Sequence, residues 1–164
     1  MTPGKTTRTD YDVIIVGGGP AGLFASAWLA ENTGLSVLVI EKGKQAAKRD
    51  CPVGRLGCIH CKPCNILSGI GGAGLFSDGK LNFIHKLGKT DLTQFMGEAE
   101  ARALIDETEV MFNRFGMDGP VYPTDMEQAR RVRAQARKCG IDLLIIRQKH
   151  LGSDKLPQLI ADMT

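Results

Sequence analysis

Two apolar runs separated by a helical stretch form the clearest pattern in the first 41 residues. Residues 11–16 are mostly apolar and predict a short buried strand. Residues 23–31 predict a helix, and residues 36–40 form a second apolar run that ends at the acid Glu41. The pattern therefore predicts one β-α-β unit over residues 11–41.

The pattern turns helical again beyond residue 91. Apolar positions fall on one stripe of a predicted helix over residues 92–115, which Gly116 would close. Thr124 or Asp125 can cap a second helix that runs to Lys138.

The end of the chain returns from helix to apolar run. Gly140 would end the second helix, residues 141–147 predict a buried strand, and a further helix is expected to start near Pro157. Helices that alternate with strands in this way predict an α/β fold, here a Rossmann-like domain with a parallel sheet. Cys139, beside the helix end, is expected to be a small buried hydrophobic residue.

A glycine-rich turn joins the first predicted strand to the first predicted helix. It contains the pattern G-x-G-x-x-G, in which glycines allow a tight turn, a close approach to a diphosphate, and close packing of helix on strand. The helix N-terminus would supply free N–H groups and a positive dipole end. The candidate cofactor-binding residues of this turn are Gly17, Gly18, Gly19, Pro20, Ala21 and Gly22.

Glu41 follows the glycines by about 20 residues, the spacing at which dinucleotide-binding proteins place an acid on a ribose. Its carboxylate can accept hydrogen bonds from both hydroxyls of a ribose diol and would repel a 2′-phosphate.

Residues 42–91 are rich in Gly, Lys and Cys, show little periodicity, and predict a long irregular segment. Four cysteines there follow the pattern C-x6-C-x2-C-x2-C. Three interpretations stay open: reduced cysteines lining a loop without metal, a four-ligand zinc or iron–sulfur site to which His60 could contribute, or a redox-active C-x-x-C disulfide assisted by Lys62. The candidate metal ligands are Cys51, Cys58, Cys61 and Cys64.

A second glycine-rich stretch lies at residues 65–82. Such a backbone can pass a planar ring or a phosphate closely, and its N–H groups can form an anion nest, whereas the simpler alternative is a flexible hinge. Because the stretch follows a dinucleotide-type unit, we expect it to contact the ligand through Gly71, Gly72, Ala73 and Gly74.

Composition and charge are those of an ordinary globular protein. The 164 residues are 43% hydrophobic and carry a formal net charge of +3. The arginines of the second helix lack interleaved aromatic residues, which favours a solvated face over a nucleic-acid site. The polar first ten residues predict a disordered tail without a secretory signal, and no apolar run could span a membrane, so a cytoplasmic protein is expected.

Residues 12–23 together with residues 37–42 resemble the FAD-binding N-terminus of flavoproteins with two dinucleotide-binding domains. The resemblance implies FAD as the cofactor, with its diphosphate held by Gly17, Gly19 and Gly22 and its adenosine ribose held by Glu41. Glu41-Lys42 after the second strand favours FAD over NAD.

Residues 61–65, 71–81 and 150–154 resemble a narrower group of bacterial and archaeal FAD-dependent dehydrogenases without an assigned substrate. This resemblance implies a flavin oxidoreductase that acts on a small-molecule substrate and passes electrons to an unknown acceptor. By analogy the backbone of residues 71–74 would lie near the flavin ring, with Lys80 or Asp78 near the reacting end. Because members of the wider superfamily are longer, residues 11–164 are expected to form the N-terminal part of an incomplete FAD-binding domain.

No catalytic residue is assigned, although His85 and His150 are titratable candidates. Two further functions stay open. One is a thiazole-synthase-like enzyme that holds NAD or an adenylated product in a similar fold. The other is a non-enzymatic flavin or iron–sulfur electron-transfer module.

Overall fold

A computed structural model of the chain describes residues 10–164, which form two compact units. The first comprises residues 10–77 with Ile160–Thr164, and the second comprises Asp78–Leu159. Apart from Asp10, the predicted tail lies outside the described residues. No helix among the described residues is long and apolar enough to cross a membrane.

The first unit begins with the predicted β-α-β arrangement. Strand β1 (Val13–Val16) leads into helix α1 (Pro20–Asn32), and strand β2 (Val37–Ile40) pairs with β1 in parallel, from Val13 opposite Val37 to Val16 opposite Ile40. Pro20 stands at the first helical position, where its missing N–H costs no hydrogen bond. The helix therefore begins three residues before the apolar pattern suggests.

Strand β1 is not buried on both faces, contrary to the sequence prediction. Successive side chains of a strand point to opposite faces, and Val13 and Ile15 are half-buried whereas Ile14 and Val16 are exposed. Val16 is 83% exposed. An apolar run indicates a strand, but its burial depends on neighbours elsewhere in the fold.

The rest of the first unit consists of short turns and helices, in accordance with the predicted irregular segment. They are a 3-10 turn at Ala46–Lys48, helix α2 (Val53–Leu56) and a 3-10 helix at Gly72–Phe76. The buried apolar side chains of this unit are Leu23, Leu75, Ile160 and Met163.

The second unit contains antiparallel strand pairs and two longer helices. Strand β3 (Lys80–Asn82) pairs with β6 (Gln148–His150), Lys80 opposite His150, and β4 (Lys86–Leu87) pairs with β5 (Thr90–Asp91). The described sheets of this unit are therefore antiparallel, and the predicted parallel return is wrong here. The elements are β3 (Lys80–Asn82), β4 (Lys86–Leu87), β5 (Thr90–Asp91), a 3-10 turn (Leu92–Gln94), α3 (Glu98–Arg114), α4 (Met126–Lys138), β6 (Gln148–His150) and α5 (Leu156–Asp162), within which the boundary of the two units falls.

The apolar run 141–147 is not a buried strand. It forms no assigned element, Ile141 and Leu144 are more than half exposed, and pairing begins only at Gln148. Cys139 is exposed, not buried. The run is apolar enough to be a strand, but no described strand pairs with it. The pattern of apolar residues along a segment does not show whether a neighbouring strand is available to pair with it.

Buried charges join β6 to α3 in the second unit. Lys149 on β6 is 4% exposed and donates to Asn113 Oδ1 at 2.5 Å and to the Met117 carbonyl at 3.1 Å. Its ammonium also lies 3.4 Å from Glu109 Oε1. The buried Lys149 ammonium and Glu109 carboxylate thus each have partners, as burial of a charge requires.

Asp125, and not Thr124, caps helix α4. The Asp125 carboxylate accepts the Gln128 N–H at 2.9 Å, which satisfies one of the free donors of the first turn. We expect Asp125→Ala to lower the free energy of unfolding by about 1 kcal/mol, whereas Thr124→Ala should change it by less than about 0.5 kcal/mol. Urea denaturation of both variants checks this, and equal losses would contradict the assignment.

Candidate functional site

The glycine turn between β1 and α1 has the geometry that the sequence predicts. Gly17 has a φ of +107°, a backbone conformation that side chains rarely adopt. A Cβ on Gly22 would lie 2.0 Å from the Gly17 carbonyl oxygen and 3.3 Å from Ile15 Cγ2, so only glycine lets α1 approach β1 this closely.

The N-terminus of α1 offers hydrogen-bond donors. Its N-cap, Gly19, supplies no side-chain acceptor, and the first acceptor within the helix is the Gly19 carbonyl, which takes the Leu23 N–H at 3.0 Å. The N–H groups of Ala21 and Gly22 therefore have no acceptor inside the helix. Around Gly19 a Cβ would meet only Gly72 Cα, at 4.0 Å, so space remains beside this turn. Such an end suits an anionic diphosphate.

Glu41 directly follows β2 and binds three backbone amides. Its Oε2 accepts the Gly18 N–H at 2.7 Å, and its Oε1 accepts those of Gly43 and Gly69 at 2.7 and 2.9 Å. The Gly18 amide, followed by those of Gly43 and Gly69 and by the charge of Lys42, holds the pKa of this carboxyl below its ordinary value against the opposing effect of burial. Glu41 is therefore ionised at neutral pH and tied directly to the glycine turn.

These contacts limit what Glu41 can offer a ribose. A carboxylate has about four lone-pair sites, and three of them are occupied by protein amides. The remaining site, on Oε2, suits one hydroxyl donor, whereas the sequence analysis expects two. Gly18 likewise uses its backbone within the protein, because its N–H binds Glu41 and its carbonyl accepts the Gly71 N–H.

The second glycine-rich stretch packs directly against the first glycine turn. The Gly71 N–H donates to the Gly18 carbonyl at 2.7 Å, and a Cβ on Gly72 would lie 3.2 Å from Gly19 Cα. The Gly72 N–H donates to the Gly69 carbonyl at 2.9 Å. Two of the N–H groups predicted to form an anion nest are thus already bonded to protein carbonyls, which weakens the anion-nest interpretation. The same bonds hold the stretch in place, which weakens the interpretation as a flexible hinge.

Arg49 is the residue of this site that the sequence analysis missed. It is 7% exposed, and its guanidinium donates to carbonyls along residues 65–72. In sequence it stands among exposed lysines, and only its identity as Arg distinguishes it from Lys48 beside it. A planar group with five donors is what a buried cluster of carbonyls requires, but no local pattern shows that such a cluster will form.

The four clustered cysteines do not form a metal site in the structure. Among residues 10–164, no three Cys, His, Asp or Glu side chains gather in a way that could hold a metal ion. Cys58 and Cys64 are exposed, and Cys58 Sγ lies 4.0 Å from His60 Nδ1. The spacing C-x2-C-x2-C allows convergence only if the backbone curls around one centre, and here it does not. The geometry gives no support to zinc or an iron–sulfur cluster on these ligands.

Cys64 has a perturbed thiol. The Leu67 and Ile66 N–H groups, and then the charge of Arg49, lower the pKa of Cys64 despite some opposing desolvation. The pKa of the Cys64 thiol thus depends on the conformation of residues 66 and 67, in the loop that Arg49 binds.

The remaining candidate residues lie in the second unit. Lys80 Nζ forms an ion pair with Asp78 Oδ2 at 2.8 Å, and the Asp78 carbonyl oxygen lies 3.0 Å from His150 Nε2. Hydrogen bonds from Lys80 lower the pKa of Asp78. His85 Nε2 lies 3.9 Å from Glu98 Oε1. Each of these polar side chains has a nearby partner within the second unit. The contacts therefore identify no catalytic base.

The residues of the first unit fit a dinucleotide with a diphosphate centre. The Glu41 carboxylate is bound at 2.7 Å to Gly18, and the open space at Gly19 lies between Gly18 and the first residue of α1 in the chain. The donor set contains a place for an anion and an acceptor for a hydroxyl, which an FAD adenosine diphosphate requires.

Curated proteins resemble parts of the chain, among them the following two. An uncharacterized protein of Clostridium beijerinckii is 43% identical over 71 residues, which cover 42% of this chain and 13% of that protein. Glucose oxidase 2 of Penicillium expansum is 51% identical over 41 residues, 25% of this chain and 7% of the enzyme. The chain thus spans a small part of the length of either relative, and no solved structure matches it.

The glycine turn, the acid after β2 and the second glycine-rich stretch all fall within residues 10–112, which match the FAD binding domain family. FAD is the cofactor that this match indicates, and the helices and small parallel sheet of the first unit agree with an α/β fold. The chain belongs to the FAD binding domain family.

Proposed function

We propose that this chain holds the adenosine diphosphate half of FAD in a flavin-dependent oxidoreductase with a Rossmann-like first unit. The observation that supports this most is the bond from Gly18 N–H to Glu41 Oε2, because it joins an ionised carboxylate, which suits a ribose hydroxyl, to the glycine turn. In this proposal the Ala21 and Gly22 N–H groups bind the diphosphate, and Oε2 of Glu41 accepts one ribose hydroxyl. The turn is shaped by Gly17, Gly18 and Pro20. The positive charge of Lys42 attracts the anionic ligand.

The reaction we propose is a dehydrogenation of a small-molecule substrate. When bound, the flavin would supply the redox chemistry, as the acceptor of a hydride from the substrate and the donor of electrons to a second acceptor. The protein contributes binding, orientation and exclusion of water. The backbone of Gly71, Gly72, Ala73 and Gly74 would lie along the cofactor, since residues 71 and 72 contact the glycine turn.

Titration of the purified chain with nucleotides tests this function. We expect FAD and ADP-ribose to bind, because both carry the diphosphate and an unphosphorylated adenosine ribose. FMN lacks the adenosine half, and NADP carries a 2′-phosphate that Glu41 would repel, so each should bind at least about tenfold more weakly, a difference of about 1.4 kcal/mol. Isothermal calorimetry gives all four affinities. Absence of FAD binding, or equal binding of FMN and FAD, would contradict the proposal.

A further inference from the structure

The guanidinium of Arg49 donates hydrogen bonds to several carbonyl groups of one loop. Its Nε donates to the Asn65 carbonyl at 2.9 Å, and its Nη2 donates to that of Ile66 at 2.7 Å. Its Nη1 donates to the carbonyls of Ile70 and Gly72 at 2.8 and 2.7 Å, with a longer contact of 3.4 Å to Gly69. One side chain thus fixes the course of residues 65–72, hereafter the carbonyl loop.

Only a guanidinium can make this set of contacts. Its donors lie in a rigid planar fork, whereas an ammonium places three donors at one point. Arg49 is 7% exposed, and among the described residues no carboxylate lies within ion-pair distance of it. Burial lowers the pKa of Arg49, and the charges of Glu41 and Cys64 oppose that effect. The Phe76 ring, whose centroid lies 5.0 Å from the guanidinium carbon, also faces the charge.

The other side of the carbonyl loop faces the dinucleotide turn. In a peptide unit the N–H points opposite to the C=O, so carbonyls turned toward Arg49 direct the following N–H groups away from it. The Ile70 N–H reaches the Lys44 carbonyl at 3.0 Å, and the Gly71 N–H reaches the Gly18 carbonyl at 2.7 Å. The Gly69 N–H, which lies outside the peptide units that Arg49 binds, reaches Glu41 Oε1 at 2.9 Å. The orientation that Arg49 imposes on the Gly69–Ile70 and Ile70–Gly71 peptide units is therefore the one that connects the loop to Lys44 and to the first glycine turn.

Steric constraints support this geometry. Gly69 has a φ of +123°, and a Cβ there would lie 2.6 Å from the Lys44 carbonyl oxygen and 2.7 Å from Arg49 Cδ. A Cβ on Gly43 would lie 2.4 Å from the Gly69 nitrogen. The backbones of residues 43 and 69 therefore lie in close contact, and the Arg49 side chain packs against Gly69.

We propose that Arg49 is a positioning residue of the FAD site, which holds the carbonyl loop against the glycine turn before the cofactor binds. The proposal rests on the proposed function, because the ligand whose binding the positioned loop favours is FAD. Arg49 itself touches carbonyl groups and does not need to touch the cofactor. Its role is to keep Gly18, Glu41 and Gly71 in the arrangement that binds FAD.

Arg49→Lys tests the proposal against the matched control Arg55→Lys. Arg55 is exposed and binds only Asp50 among its described side-chain contacts. We expect Arg49→Lys to weaken FAD binding at least tenfold while circular dichroism shows a folded chain, and Arg55→Lys to change the affinity less than twofold. An Arg49→Ala variant should bind FAD equally weakly and regain part of the affinity with added guanidinium.

Two measurements on the cofactor-free chain separate this proposal from FAD binding itself. Hydrogen exchange at the Ile70 and Gly71 amides should rise at least tenfold in Arg49→Lys, whereas exchange at the β1 amides should not change. Site-resolved iodoacetamide labelling should show that Cys64 reacts only at higher pH than in the wild type, because the loop amides that lower its pKa would be displaced.

The binding, exchange and labelling results together distinguish failure of the positioning role from failure of the proposed function. Wild-type FAD affinity and unchanged loop exchange in Arg49→Lys would overturn the positioning role. Global unfolding of both Arg49→Lys and Arg49→Ala would also overturn it, because the role would then belong to the whole fold. If the wild-type chain binds no FAD while the exchange and labelling shifts occur, Arg49 positions the loop and the proposed function fails.

Discussion

Gly22→Ala is expected to abolish FAD binding and to destabilise the first unit. The added Cβ would lie 2.0 Å from the Gly17 carbonyl oxygen and 3.2 Å from the Gly17 carbonyl carbon. Neither atom can rotate away as a side chain could, so α1 must move away from β1. We expect a loss of at least about 3 kcal/mol in the free energy of unfolding, the upper range for overpacking. Urea denaturation and FAD titration measure the two effects.

Gly34→Ala is the matched control for this substitution. Gly34 lies between α1 and β2 in the same β-α-β unit, and a Cβ there would meet no atom within 4 Å. Its unfolding free energy should stay within about 0.5 kcal/mol of the wild type, and its FAD affinity should not change. Equal behaviour of the two alanine variants would show that the approach of α1 to β1 does not control the site.

The β-α-β unit could be predicted from sequence because its determinants are local. Gly17 has a positive φ and Pro20 begins α1, and both requirements act within a few residues of the chain. Parallel pairing of β1 with β2 follows once a helix of this length connects them. The placement of Glu41 beside Gly18 follows from the same connection, since both residues come at the carboxyl ends of adjacent parallel strands.

Other parts depended on contacts between residues distant in sequence. The apolar run 141–147 has the composition of a strand, but residues 148–150 pair with β3 instead. The exposure of Val16 likewise depends on which elements cover β1. The cysteine spacing allowed a metal site, yet only the path of the backbone decides whether thiols converge. Arg49 was missed for the same reason, because its partners lie 16 to 23 residues away in the chain.

Glu41→Gln is expected to lower both stability and FAD affinity at neutral pH. The carboxylate accepts N–H groups from Gly18, Gly43 and Gly69, and a glutamine would present an N–H₂ donor to at least one of them. Hydrogen bonds to a charged group each contribute about 1.5–3 kcal/mol, so we expect a loss of about 3 kcal/mol in unfolding free energy. Glu107→Gln, on an exposed face of α3, is the control and should change it by less than about 0.5 kcal/mol.

The pH dependence of this loss separates the carboxylate from the shape of its side chain. The pKa of Glu41 is lowered in the folded chain, chiefly by the Gly18 amide, from an ordinary value of 4.5. The unfolded chain therefore takes up the Glu41 proton at higher pH than the folded chain does, so the contribution is complete above pH 4.5 and declines as the pH falls through the folded pKa. The stability difference between wild type and Glu41→Gln should thus be constant from pH 6 to 8 and shrink at more acidic pH, as measured by urea denaturation at each pH. A difference that stays the same in acid would mean that hydrogen-bond geometry alone, and not charge, joins the two glycine-rich segments. The FAD affinity of the wild type would then have no reason to depend on the ionisation of Glu41.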